Sequence, residues 1–171
     1  MKVRNLVAVM LAVLVMPFSA QASCIGSSCI INLDPDFSDA GTYWTENGNV
    51  TYGNITTCSG TSARVRLDPG ESISQTFTPG SNFDYNLLLD AFLINDTDNF
   101  YDQLTITVRN NSTSVSEVFY LRGSSWTNCS SSFSQDFAND YDNVSVTVTL
   151  EVQSLSTSGW YLDNIAFWGI N

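Results

Sequence analysis

Residues 144–152 read Val-Ser-Val-Thr-Val-Thr-Leu-Glu-Val, with apolar side chains at 144, 146, 148, 150 and 152 and Ser, Thr or Glu between them. Successive side chains of a strand point to opposite faces, so this period of two predicts a β-strand with one buried and one wet face. Leu104-Thr-Ile-Thr-Val108 repeats the design. Working outward, the same reading predicts strands over 30–33, 49–52, 62–67, 72–78, 85–94, 103–110, 115–121, 131–137 and 160–168. Turn formers separate them: Asp68-Pro69-Gly70, Thr78-Pro79-Gly80, Asn110-Asn111, Arg122-Gly123 and Ser158-Gly159. No stretch carries a helical period. Short strands without intervening helices imply an all-β chain, an antiparallel β-sandwich of the jelly-roll kind. The segment 85–94, Tyr-Asn-Leu-Leu-Leu-Asp-Ala-Phe-Leu-Ile, is apolar on both faces. It reads as a central strand whose outer face meets something other than bulk water, such as a ligand.

The N-terminus reads as an export signal. Lys2 and Arg4 precede an unbroken apolar run from Leu6 to Val15, Pro17 ends it, and Ala20-Gln21-Ala22 offers small residues at a cleavage site. The run is too short for a membrane-spanning helix, which needs about 20 residues. Cleavage after Ala22 leaves a single domain over 23–171, secreted or periplasmic and not inserted in the membrane. The alternative is a lipid anchor on Cys24. The exported chain then holds four arginines, no lysine and all 17 acids of the sequence. Four cysteines remain: Cys24, Cys29, Cys58 and Cys129. An even count in an exported chain reads as disulfides. Of three connectivities we favour Cys24–Cys29 as a local clip and Cys58–Cys129 as a long staple. A zinc site is disfavoured by the spacings and the lack of histidine.

Composition removes several functions. The net charge of -11 argues against nucleic acid and against anionic membrane surfaces, both of which are met by cations. Without histidine there is no imidazole base, imidazole ligand or Ser-His relay. The seven Asn-x-Ser/Thr sequons follow from a Ser/Thr/Asn-rich composition in a chain of bacterial character.

Three segments in order resemble the galactose-binding-like jelly rolls that serve as bacterial carbohydrate-binding modules. The first is Asn32-Leu-Asp-Pro-Asp-Phe37, followed by Trp44 and Gly48. The second runs through Gly60-Thr-Ser-Ala-Arg-Val65, Ile73-Ser-Gln-Thr-Phe77, Pro79-Gly80 and Tyr85-Asn-Leu87. The third is Trp160-Tyr-Leu-Asp-Asn-Ile-Ala-Phe167. The sequence departs from the family's pattern at Asp36, where Gly or Asn-Gly is commoner, and the reading expects no catalytic domain beside the module. The resemblance implies a structural calcium ion tying the first strand to the last, with Asp163 and Asp36 as its acids. Oxygen donors of this kind suit a hard cation; the competing reading has Asp163 capping backbone amides of a turn. The acids at 96, 98 and 102, and at 140 and 142, lack the pattern of a calcium loop and read as solvated turns.

Sugar recognition needs aromatic faces and side chains that bond hydroxyls. Trp126 sits in a polar loop next to Cys129 and is the leading stacking platform. Tyr120 alternates outward from Phe119 and Leu121, and Tyr101 is a vaguer candidate. Arg64 and Arg66 project from the outer face of one strand, and Asp90 from the outer face of another. Such Arg–Asp pairs either bond sugar hydroxyls or form cross-strand ion pairs. Trp44 is assigned to the core. On the last strand, Tyr161, Asp163, Ile165 and Phe167 are assigned inward, and Trp160, Leu162, Asn164, Ala166 and Trp168 outward.

These readings converge on an exported, non-catalytic protein that binds a glycan or polysaccharide. The alternative is an adhesion or structural surface protein that uses the same fold to contact a cell-surface or matrix protein. A glycosidase would need two opposed carboxylates about 5–10 Å apart; no acid here sits in a motif that implies a raised pKa.

Overall fold

A computed structural model describes residues 23–25, 28–32, 34–81, 84–95, 99–125, 129 and 132–170, with only the backbone at 23–25 and 28. The export-signal reading and Trp126 lie outside the described residues.

The strands are β1 (Ser23–Ile25), β2 (Ser28–Ile30), β3 (Thr45–Asn47), β4 (Thr51–Thr57), β5 (Gly60–Leu67), β6 (Ser72–Phe77), β7 (Asp84–Leu93), β8 (Gln103–Asn110), β9 (Ser116–Arg122), β10 (Ser132–Asp136), β11 (Val146–Val152) and β12 (Trp160–Ile170). A single turn of 3₁₀ helix, Gly123–Ser125, follows β9. The expected strands are present with shifted ends, except that the one over 30–33 meets β2 only at Ile30. Only β1 and β3, three residues each, escape the sequence pattern, because three residues carry too little alternation to show a period.

The strands form two antiparallel sheets. One has the order β3-β6-β11-β8-β9. In the other, β12 is the spine: β7 pairs along one side of it, while β5 and β2 share the other. β4 extends β5, β10 extends β7, and β1 extends β2. The period of two in 146–152 is realised as a strict alternation, with Val146, Val148, Leu150 and Val152 buried, Thr147 and Thr149 half-buried and Glu151 exposed. Those side chains meet Val65, Leu67, Leu87, Leu89, Leu93, Trp160 and Leu162 of the facing sheet in one core. Apolar burial of about 25 cal/mol per Å² drives this closure. One end of the core is aromatic: Phe167 contacts Phe77, Tyr85, Phe137 and Tyr141 with ring centroids 5.0–6.0 Å apart. Trp44 is buried as expected, with its indole N–H donated to the Asp34 carbonyl.

Cys58 and Cys129 are disulfide-bonded across a separation of 71 residues. Cys29 is also disulfide-bonded, and the β1–β2 register sets Cys24 opposite it; the Cys24 side chain lies outside the described residues. No helix among the described residues is long and apolar enough to cross a membrane.

The last strand corrects the expected facing. Trp160 and Leu162 point into the core, not outward, and Ile165 and Phe167 are buried further along. A β-bulge between Asp163 and Ala166 shifts the register by one and switches the faces. Asn164 sits there with φ of +50°, a left-handed conformation that Asn tolerates better than most residues. Tyr161 accordingly lies outward and half-buried. The second correction concerns Asp102. It is fully buried, and its carboxylate accepts the N–H groups of Thr157 and Ser158, so it clamps a loop and is not solvated.

Candidate functional site: a groove across the outer face of the larger sheet

The bulge in β12 builds the site. Register across β12, β7 and β10 places outward side chains in three rungs: Asp163, Asp90 and Ser132; then Ala166, Leu88 and Ser134; then Trp168, Asn86 and Asp136. Rungs two residues apart lie about 7 Å from one another along the strands. Two adjoining cavities follow them and share Asp90, Ser132 and Asn164. The apolar cavity, about 380 Å³, is lined by Ile30, Pro35, Leu88, Ala166 and Trp168 among others. The charged one, about 490 Å³, is lined by Asp36, Ser62, Arg64, Phe92, Asp163 and Asn164 among others. The two-faced apolarity of 85–94 is thereby explained: its outer residues Leu88, Asp90 and Phe92 floor the groove.

Hydrogen bonds fix the polar groups. Asp90 accepts the Ser132 hydroxyl at 3.0 Å and the Asn164 amide at 2.8 Å. Asn86 donates to Asp136 at 2.6 Å. Asp163 accepts its neighbour's N–H from Asn164 at 2.8 Å and the Ser62 hydroxyl at 2.5 Å, with Arg64 Nε at 3.6 Å. Burial pushes the Asp163 carboxyl above the usual aspartate range, and the facing Asp90 charge adds to this; Ser62, the Asn164 N–H and Arg64 act in the opposite sense. Arg64 lies 3% exposed, its guanidinium 4.6 Å from the Phe92 ring centroid. It donates to the Ile55 and Gly60 carbonyls and to the Ser59 hydroxyl.

Of the residues expected to meet a ligand, the structure brings Arg64 and Asp90 together in this groove. The two expected calcium ligands, Asp163 and Asp36, line it too. Arg64 faces outward as its alternation implies, but it is buried and pairs with Asp163, not Asp90. Arg66 pairs instead with Asp68 at 2.8 Å, away from the groove. Tyr120 and Tyr101 are exposed, 52% and 62%, but lie elsewhere: Tyr120 is on β9 of the other sheet, and Tyr101 stacks edge-on with Phe100. Sequence reasoning missed Ser62, Ser132, Asn164 and Trp168. Trp168 carries a signal, an indole at the end of the set assigned outward, but its alternation alone does not mark it as a ligand contact.

The Asp163–Asp36 pair does not suit a calcium ion. The Asp163 oxygens already face a backbone N–H, a hydroxyl donor and a guanidinium, and a fixed cation at 3.6 Å opposes a dication. No group of three His, Cys, Asp or Glu side chains among the described residues could hold a metal. The tie between the opening segment and the last strand is made by other means. The Asn32 amide donates to the Ile165 carbonyl at 2.6 Å and accepts the Phe167 N–H at 2.7 Å, while Ile165 N–H meets the Pro35 carbonyl at 2.7 Å.

No family model and no curated protein matches the sequence. Solved structures do match the fold. The enzymatically active domain of tailspike protein 4 of bacteriophage CBA120 superposes with a TM-score of 0.60 at 15% identity; 83% of this chain is covered, but it spans only 21% of the tailspike chain. TmCBM61, solved in complex with β-1,4-galactotriose, gives 0.54 at 14% identity, covering 81% of this chain and 97% of that one. The CBM22-1 xylan-binding domain of Paenibacillus barcinonensis Xyn10C gives 0.50 at 10% identity, covering 75% and 86%. The chain is thus a β-sandwich with the fold of carbohydrate-binding modules.

Proposed function

We propose that the protein is an exported, non-catalytic module that binds a carbohydrate chain along the groove. The observation that carries this is the floor made by Trp168, Ala166 and Leu88, flanked on the adjoining rungs by Asp90, Ser132, Ser134, Asn164 and Asn86. A pyranose has apolar C–H faces and an equator of hydroxyls. A flat indole and methyl surface takes the faces, and fixed carboxylate, amide and hydroxyl groups take the equator. The modules of similar fold, one solved with a galactotriose and one described as xylan-binding, support the reading. Affinity electrophoresis through gels of neutral β-1,4-linked polysaccharides tests it. Retardation by at least one glycan is expected, lost in Trp168→Ala while the melting temperature stays within a few degrees. Retardation that Trp168→Ala leaves intact would place the site elsewhere.

A separate patch favours a second reading. Phe100, Tyr101, Tyr120 and Leu155 are 52–74% exposed near Arg122, whose guanidinium lies 4.2 Å from the Phe100 ring centroid. An exposed aromatic cluster suits contact with another protein, as in an adhesion or matrix component.

A further inference from the structure

Arg64 and Arg66 are each paired with an aspartate, whereas Arg122 has neither an ion pair nor a hydrogen bond among the described residues. Its guanidinium lies by two rings, 4.2 Å from the Phe100 centroid and 5.8 Å from that of Tyr120. Ring faces hold a guanidinium in place without using its hydrogen-bonding edge. The Nε is buried, but the side chain as a whole is half-buried, so the terminal nitrogens keep access to solvent. Glu151 is the counterpart: exposed, on the same face, and without an ion pair among the described residues. Register sets Tyr120 beside Thr105 and Thr105 beside Glu151. Arg122 lies two residues further along β9, so two strand spacings and one rung put the backbones of Arg122 and Glu151 about 12 Å apart. Tyr120 stands between them. Leu155 lines a cavity of about 320 Å³ with Tyr120 and Glu151. The face also differs in charge from the rest of the molecule. Of the side chains that β6, β11, β8 and β9 turn outward, Glu151, Arg109 and Arg122 are charged and the rest are neutral. The chain as a whole carries 17 acids against 6 bases. Two copies therefore repel far less here than across the acidic groove.

We infer that this patch is a self-association surface, on which two copies of the chain pack face to face across a two-fold axis running between Arg122 and Glu151. A two-fold contact presents the same patch from both sides and must complement itself. This one does: the axis brings Arg122 of each copy onto Glu151 of the other and sets Tyr120 against its own counterpart. Phe100, Tyr101 and Leu155 flank that centre, giving the aromatic middle and polar margin of a protein contact. The inference rests on reading the patch as a protein contact, for which it names the partner, and does not depend on the glycan groove. The groove lies on the outer face of the other sheet, so the pair presents two grooves and gains avidity on a repeating polysaccharide.

The test is sedimentation velocity of the purified protein. A reversible monomer–dimer equilibrium is expected between roughly 1 μM and 1 mM, the range of a small transient interface. Arg122→Glu or Glu151→Arg alone sets like charges against each other twice in the dimer and should weaken pairing about a hundredfold. Mixed in equal amounts, the two variants should regain association close to that of wild type, because each supplies the charge the other lacks. A folding defect would not be cured by mixing. A wild type that stays monomeric at every concentration overturns the inference. So do single variants that pair undiminished, and a mixture that stays monomeric while both variants melt within a few degrees of wild type. A monomeric wild type removes the second copy as the partner of the patch and leaves the groove to be judged by Trp168→Ala alone.

Discussion

Asp163 and Asp90 are direct cross-strand neighbours, and like charges so placed repel. The arrangement holds because Arg64 lies beside Asp163 under Phe92, a built-in cation in the position a metal was expected to fill. Arg64→Met keeps the apolar stem and removes the charge. Breaking one partner out of a buried pair costs about 3–5 kcal/mol. Here the lower end is expected at neutral pH, since Ser62 and the Asn164 N–H still bond the carboxylate. Because burial raises the Asp163 pKa, its ionisation works against folding, and this cost disappears as pH falls and the group protonates. The Arg64→Met deficit in urea denaturation should therefore shrink toward acid pH. Chelator should leave the wild-type midpoint unmoved; a fall on adding EDTA would show that a metal shares the role of Arg64. At this scale the sequence was legible in part. Alternation aimed Arg64 and Asp90 outward correctly, but nothing local to Arg64 shows that Ser59, Ile55 and Phe92 fold over it.

Single elements were legible wherever both neighbours of a residue obey the same period. β8 and β11 lie in the interior of one sheet, face one core, and alternate, β8 from Leu104 onward, so their faces follow directly from their letters. β12 breaks the rule because one residue at +50° inserts a bulge, and a one-residue slip turns every later side chain over. The Asn at 164 is the only local sign of it, and Asn in a strand has other uses. Asp102, expected in a solvated turn but buried as a loop clamp, shows the same limit. β9 carries a further example in Glu117, whose carboxylate reaches across to accept the N–H groups of Ala138 and Asn139, the Asn139 amide and the Tyr141 hydroxyl. Burial alone would raise its pKa, but these four donors hold it below the usual glutamate value. A depressed carboxyl stabilises the fold above its unfolded pKa and loses that contribution as pH falls through the folded one. Glu117→Gln should therefore cost about 1–2 kcal/mol at neutral pH. The difference from wild type should vanish well below pH 4.5, the ordinary value for this group. A deficit independent of pH would mean that the side chain acts by packing and not by charge.

For the whole molecule, the four cysteines and the strand count settled the architecture, whereas the groove emerged only from the register of three strands that are distant in sequence. The Cys58–Cys129 bond connects these two levels. Cys58 precedes Ser59 and Cys129 lies shortly before Ser132, and both serines line the charged end of the groove. The bond therefore joins the turn after β4 to the approach to β10 along one rim. Closing a loop of 71 residues restricts the unfolded chain by roughly 4 kcal/mol on the chain-entropy account. At a few degrees per kcal/mol for a domain of this size, the Cys58→Ala/Cys129→Ala double variant should melt about 10 °C lower. Stability and binding should also fall together. With the rim untied, Ser59 no longer fixes Arg64, and glycan affinity at a temperature where the variant is still folded should drop by about an order of magnitude, or 1.4 kcal/mol. A variant that melts lower yet binds unchanged would separate the staple from the groove and move the glycan site toward the Phe100–Tyr120 patch, which lies on the other sheet's edge.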